Sequence, residues 1–121
     1  MAITLEALRE FFENTRRLRS DGRARFDIDG VCRWSFFFVD TDEAKLVTLG
    51  LHLEEQGYEG VGLLRPNPED GHQETLFLRA DRVEVHSVDS LHMRNGQLEE
   101  LAVRFGIAAY DGMDVGAVDG P

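Results

Sequence analysis

The sequence predicts an α+β sandwich of ferredoxin-like order, β-α-β-β-α-β, preceded by an added N-terminal helix and short strand. Three observations carry this reading. Val31 to Val39 is an apolar strand with Cys32, Trp34, Phe36 and Phe38 on one face. Two later segments, ending at Gly57 and at Gly106, place leucines at helical spacing. From Val31 onward the elements run strand, helix, strand, strand, helix, short strand, the split βαβ order.

Each element has its own signal. A first helix is expected over Thr4 to Arg19, with Leu5, Leu8, Phe11, Phe12 and Leu18 on its apolar side and Ser20-Asp21-Gly22 as its stop. Arg23 to Asp29 alternates weakly around Phe26 and Ile28, which predicts a short strand turning at Asp29-Gly30. In the main strand Phe37 and Val39 occupy the second face, which argues that both sides are covered and the strand is central. Asp40 followed by Glu43 reads as a capping box for a helix burying Leu46, Leu49, Gly50 and Leu53. Tyr58 to Arg65 is the next strand, and the Pro66 to Gly71 run is a loop. Glu74 to Val85 is a third strand. Leu76, Leu78 and Ala80 lie on one parity and Val83 and Val85 on the other, which predicts a bulge near Asp81-Arg82. Ser87 caps the last helix, which carries Leu91, Leu98, Leu101, Ala102 and Phe105. Gly106 stops it, and a Tyr110-Asp111-Gly112 turn leads into a short strand over Met113 to Val115.

At 121 residues and 42% apolar content the chain suits one structural domain, burying about two-thirds of its unfolded-chain surface. Residues 1–30 read as the helix-and-strand extension and 31–121 as the main body. No apolar run approaches the roughly 18 residues of a membrane span. The start, MAITLEALREFF, has early acids and no long apolar core, so no secretory signal is expected. One cysteine, Cys32, forms no intrachain disulfide and suits the cytoplasm; its strand position favours a core role over a nucleophilic one.

Charge is uneven. Residues 1–25 hold six Arg against four acids, for +2; residues 26–121 hold seven Lys or Arg against nineteen Asp or Glu, for −12. Such a body repels nucleic-acid phosphates and attracts basic surfaces. The bland alternative is that the acidity only keeps the protein soluble.

Signals for catalysis are poor. His52, His72, His86 and His92 lack metal-ligand spacing, and no Cys pair accompanies them. Ser35, Ser87 and Ser90 stand in no nucleophile elbow, and Gly60-Val61-Gly62 precedes no helix as a phosphate loop would. Asp27 with Asp29, and Asp111 with Asp114, form close carboxylate pairs, but nineteen acids in this body produce such pairs by chance. Asp111 is expected to bond within its own turn and Tyr110 to pack on the sheet. Arg16, Arg17, Arg19, Arg23 and Arg25 lack interleaved aromatics for base stacking and are expected to pair with acids. No metal and no cofactor are expected.

The run LEELAVRFGIAAYDGMDVG, from Leu98 to Gly116, passes from an apolar helix into Tyr110-Asp111-Gly112, and Asp42 to Gly60 ends in Gly57-Tyr58-Glu59. These two signatures, with His86 to Leu91 leading into a long helix, resemble the RraB family, protein inhibitors of the bacterial endoribonuclease RNase E. The resemblance covers about Val31 to Gly116. It departs from the family pattern at Met113, where an aromatic is usual, and in its Arg-rich start. Only Asp111, Asp114 and Asp119 follow the last helix, where members near the best-known inhibitor carry a long acidic tail.

Charge and resemblance together imply a non-enzymatic cytoplasmic module that binds a basic protein segment, RNase E or another ribonuclease, and touches neither nucleic acid nor membrane. Homo-oligomerisation is left open. The acids expected to meet the partner are Glu54, Glu55 and Glu59 around the first helix of the main body, Glu99 and Glu100 on the last, and Asp111 and Asp114 near the chain end. Gly57, Tyr58, Glu59, Tyr110, Asp111 and Gly112, the signature residues, are expected to serve the fold. The alternative is a small-molecule or enzymatic pocket between sheet and helices involving Trp34, His86 and His92.

Overall fold

Alternation of large apolar side chains makes Cys32–Asp40 (β1) the spine of a four-stranded sheet. The computed structural model describes residues 3–65 and 75–119. In chain order these form α1 (Leu5–Ser20), β1, α2 (Glu43–Glu55), β2 (Glu59–Leu64), β3 (Leu76–Glu84), α3 (Val88–Arg104) and β4 (Ala109–Gly116). The expected Pro66 to Gly71 loop and His72 lie outside the described residues. All neighbouring strands are antiparallel, in the order β2-β3-β1-β4, so β1 is central as expected.

Cys32, Trp34, Phe36 and Phe38 are fully enclosed on the helix side of the sheet. Leu46, Leu49 and Leu53 of α2 and Leu91, Leu98 and Ala102 of α3 close over them. The first helix joins this same layer: Leu8 and Phe12 enter the core, and the Phe12 ring stacks on Trp34 at 6.1 Å between centroids. Phe37 and Val39 are therefore half-buried without a helix over them. As members of a central strand they are shaded by Arg79 and Gly112, and by Phe77 and Ala109, in the flanking strands.

Several local expectations are corrected. No strand forms over Arg23 to Asp29. The Asp27 carboxylate accepts the Asp29 N–H at 3.0 Å, and the Asp27 carbonyl accepts the Gly30 N–H at 2.9 Å and the Cys32 thiol at 3.0 Å. These local bonds hold the segment as a turn that plugs Ile28 into the core. Helix α2 is capped by Asp42, which accepts the Lys45 N–H at 3.2 Å. Asp40 instead stays in β1, buried, and accepts the N–H groups of Asp42 and Ala108, each at 2.8 Å. The bond from Asp42 in particular holds its carboxyl below the usual range.

Strand β3 pairs with β1 in unbroken register from Cys32↔Glu84 to Asp40↔Leu76, so the bulge expected at Asp81-Arg82 is absent. Alternation simply continues past the core. Arg82 and Glu84 face the helix side at the end of the sheet, where polar neighbours receive them. The register shifts lie in the other two pairings, between Glu59 and Gly62 and between Phe37 and Phe38. The second of these is the Tyr110-Asp111-Gly112 segment. It is no chain-reversing turn but part of β4, with Phe38 opposite Tyr110 and Phe37 opposite Gly112. Asp111 is the extra, exposed residue, and Gly112 takes the positive φ of 109° that this irregularity imposes. The reversal occurs earlier, after Phe105, where Gly106 ends α3 as expected.

Candidate functional site

The helical period decides which side chains meet. Successive helix residues turn by about 100°, so His52 of α2 and Gln56, the C-cap that follows it, share one flank, while Arg94, Gln97, Leu101 and Arg104 form one stripe along α3. These two flanks face each other across a groove of about 510 Å³ that opens to solvent. Its floor is Tyr58 at the entrance to β2, together with Leu98 and Leu101; Arg82 reaches in from the end of β3. Among the described residues Glu100 is the one acid in its lining. Two contacts tie the helices together at the far end: the Lys45 Nζ donates to the Gly106 carbonyl at 3.2 Å, and the His52 ring lies 5.2 Å from Phe105.

Beneath the groove runs a connected polar network. The Arg82 guanidinium lies 4.6 Å from the centre of the Tyr58 ring and donates to the Gln56 carbonyl at 3.0 Å. Arg94 donates to the Tyr58 hydroxyl at 3.3 Å. Glu84 is ion-paired with Arg82, whose Nε stands 3.2 Å away, accepts from Arg94 Nη2 at 3.1 Å, and also bonds His86 Nε2. His86 Nδ1 stands 2.9 Å from Ser90 Oγ, whose side chain completes the capping box of α3 with Ser87. Burial holds the His86 imidazole below its ordinary pKa despite the pull of Glu84. The neutral ring donates from Nε2 to Glu84 and accepts at Nδ1 from the Ser90 hydroxyl.

The expected partner-binding acids do not form one surface. Glu100 lines the groove, and helical period puts Glu55, three residues after His52, on the neighbouring flank of α2. One residue before each, Glu54 turns to the opposite flank of α2, and Glu99 turns toward β4, with one carboxylate oxygen enclosed and unpartnered among the described residues. Glu59 and Asp114 lie across the sheet on its helix-free face. There Glu59 stands 3.8 Å from Arg33, and Asp114 lines a shallow depression with Arg33, Ser35, Phe37 and Arg79. At the centre of that face Asp81 is buried and receives Arg33 and Arg79, each at 3.0 Å. Burial raises its carboxyl, but the bonds from Arg79, Ser35 and Arg33 outweigh this and hold it below the ordinary value.

Other candidates also separate. Asp29 pairs with Arg16 through two bonds of 2.8 and 2.7 Å, so one member of the Arg-rich start is matched within the chain, as expected. Asp27 turns to its own backbone. Burial pushes the Cys32 thiol up, consistent with a core role. Trp34 is fully enclosed and meets the buried His86 edge-on at 5.2 Å, while His92 is exposed on α3. Among the described residues these three are brought to no common groove, so the arrangement lends the alternative reading no support.

A model of the RraB family, "Regulator of ribonuclease activity B", matches residues 13–115. The chain belongs to the RraB family. A search of curated proteins finds no match. Within this RraB chain the two signatures occupy different places. Gly57-Tyr58-Glu59 forms the step from α2 into β2 at the groove floor. Tyr110-Asp111-Gly112 forms the irregular start of β4, where the Tyr110 ring lies 5.2 Å from Phe38 and its hydroxyl donates to Asn95 Oδ1 at 2.6 Å. Sequence reasoning missed the arginines of the groove. Arg94 and Arg104 were legible on the α3 stripe, but Arg82 joins them only through the parity of β3 and its register on β1.

Proposed function

We propose that this RraB-family domain is an acidic, non-catalytic protein-binding module that regulates a ribonuclease by docking on a basic segment of it, with RNase E the leading candidate. The observation that carries the reading is the family match over residues 13–115, on a body whose residues 26–121 carry −12. That charge favours encounter with a basic protein segment and opposes direct RNA binding. Regulation would follow from occupying cationic surface that otherwise holds RNA or other partners. The strand order β2-β3-β1-β4 fits a ferredoxin-like sandwich, with α1 added to its helix layer. In this reading Tyr58 and Tyr110 serve the fold, and the acids around α2 and α3 meet the partner in a reducing, cytoplasmic setting.

The test is binding of the intact chain to a purified Arg-rich ribonuclease segment, followed by isothermal titration at several salt concentrations. Reversing Glu54, Glu55, Glu99 and Glu100 to Lys is expected to weaken binding at least tenfold and to flatten its salt dependence. Unchanged affinity in a folded variant would sink the assignment of these acids. Failure of the unaltered chain to bind at low salt would sink the reading itself.

A further inference from the structure

We infer that the groove between α2 and α3 recognises a single carboxylate carried within a basic partner segment. This deepens the reading above and rests on it. The groove runs against the bulk charge: in a chain of net charge −10, Arg82, Arg94 and Arg104 converge on one trough with His52. Glu84 is shared by Arg82 and Arg94 at its base. Arg104 at the mouth has no ion pair among the described residues. Glu100 precedes it by one turn of α3 without reaching it. The lining thus presents a planar guanidinium that lies 5.8 Å from the centre of the Phe105 ring but meets no carboxylate among the described residues, and its fork geometry suits one.

Shape and surroundings narrow the occupant. The groove is an open trough, with exposed Gln56, Gln97, Glu100 and Arg104 along it, which admits an extended segment and does not enclose a small molecule. Tyr58 offers no ring face to a nucleic-acid base, because Arg82 covers the ring and Phe36 meets it edge-on at 6.2 Å. Glu100 lines the groove one turn of α3 before Arg104, placed to receive a cation beside the seated carboxylate. A uniformly basic segment would press a cation against the three arginines. The groove therefore selects among basic partners as well as binding them.

Fluorescence anisotropy of the intact chain with two labelled peptides tests this. Both peptides are rich in Arg and Lys and differ only at a central residue, Glu in one and Gln in the other. The Glu peptide is expected to bind about tenfold more tightly, the worth of one charge-assisted contact. Arg104→Glu is expected to abolish or reverse that preference while the Gln peptide binds as before or better. Arg104→Gln, removing the charge without reversing it, is expected to bring the two peptides level. Circular dichroism checks that both variants fold. Equal binding of the two peptides to the unaltered chain would overturn this inference and leave acidic docking standing. A Glu preference that survives both Arg104 substitutions would overturn it too, by placing the carboxylate elsewhere. Failure of both peptides to bind at low salt would overturn both readings.

Discussion

Tyr110 shows how a single polar atom is accommodated in the core. Its ring packs on Phe38 inside the sandwich, where burial pushes the phenol far above its ordinary pKa, so it stays a neutral donor. Among the described residues the hydroxyl has one partner, the side-chain carbonyl of Asn95, itself buried on α3. Each group is enclosed, so each depends on the other. Tyr110→Phe keeps the packing but leaves the Asn95 oxygen without a donor. It is expected to destabilise the fold by about 1–3 kcal/mol, read from urea unfolding. A loss below a few tenths of a kcal/mol would mean that Asn95 finds another partner. Asp40 follows the same logic: buried at the end of β1, it collects two N–H groups from two loops, fixing both the start of α2 and the approach to β4.

At the scale of elements, α1 is the informative case. It precedes the β-α-β-β-α-β series, yet Leu8 and Phe12 lie in the same core as the leucines of α2 and α3. Phe12 stacks over Trp34, the chain's one tryptophan, with Phe11 at 6.5 Å from the same ring. Docking of α1 is therefore readable by fluorescence. Phe12→Ala removes the stacking ring and opens a void beside the indole. It is expected to cost about 3–5 kcal/mol and to shift Trp34 emission to the red. Destabilisation with unshifted emission would show that α1 stays docked and the void closes around it. The family match begins at residue 13, just beyond this ring, although the physical core does not.

Over the whole molecule, stability depends on pH through His86, which links the end of the sheet to the start of α3. Burial lowers its folded-state pKa from the ordinary value of about 6.5, against the opposing pull of Glu84 and with the help of Arg94. The unfolded chain therefore takes up the proton first as pH falls. The stabilisation is complete above about pH 6.5 and is lost as pH drops from there toward the lower folded value. Melting temperatures measured from pH 8 to pH 5 are expected to fall through that window, and His86→Gln is expected to flatten the decline. An unchanged slope in the variant would assign the effect to other groups. Charge has a separate whole-molecule role: the acids are spread over both faces of the sandwich, so long-range attraction to a cation needs no single acidic patch.

Much of this protein is determined by local pattern. Period-two alternation in Cys32 to Phe38 and helical spacing in Leu46 to Leu53 and Leu91 to Ala102 are properties of neighbouring residues, and they survive folding because burial rewards them directly. The Ser87 cap, the Gly106 stop and the Thr4 start were legible for the same reason, since caps act within one turn. Tertiary structure decided what depends on distant partners. Asp40 gave up its expected cap because Ala108 supplied a second N–H from far along the chain. Arg23 to Asp29 formed no strand, because its bonds close on themselves and onto Cys32. Tyr110-Asp111-Gly112 became a bulge because β1 lay beside it to define a register. The candidate site divides in the same way. Glu55 and Glu100 were on the expected helices, but sequence adjacency could not separate them from Glu54 and Glu99, which the helical turn sends to other flanks. Arg82, Arg94 and Arg104 come from a strand end and two turns of a helix. Only the packing of α2 beside α3, over the end of β3, brings those cations to one groove.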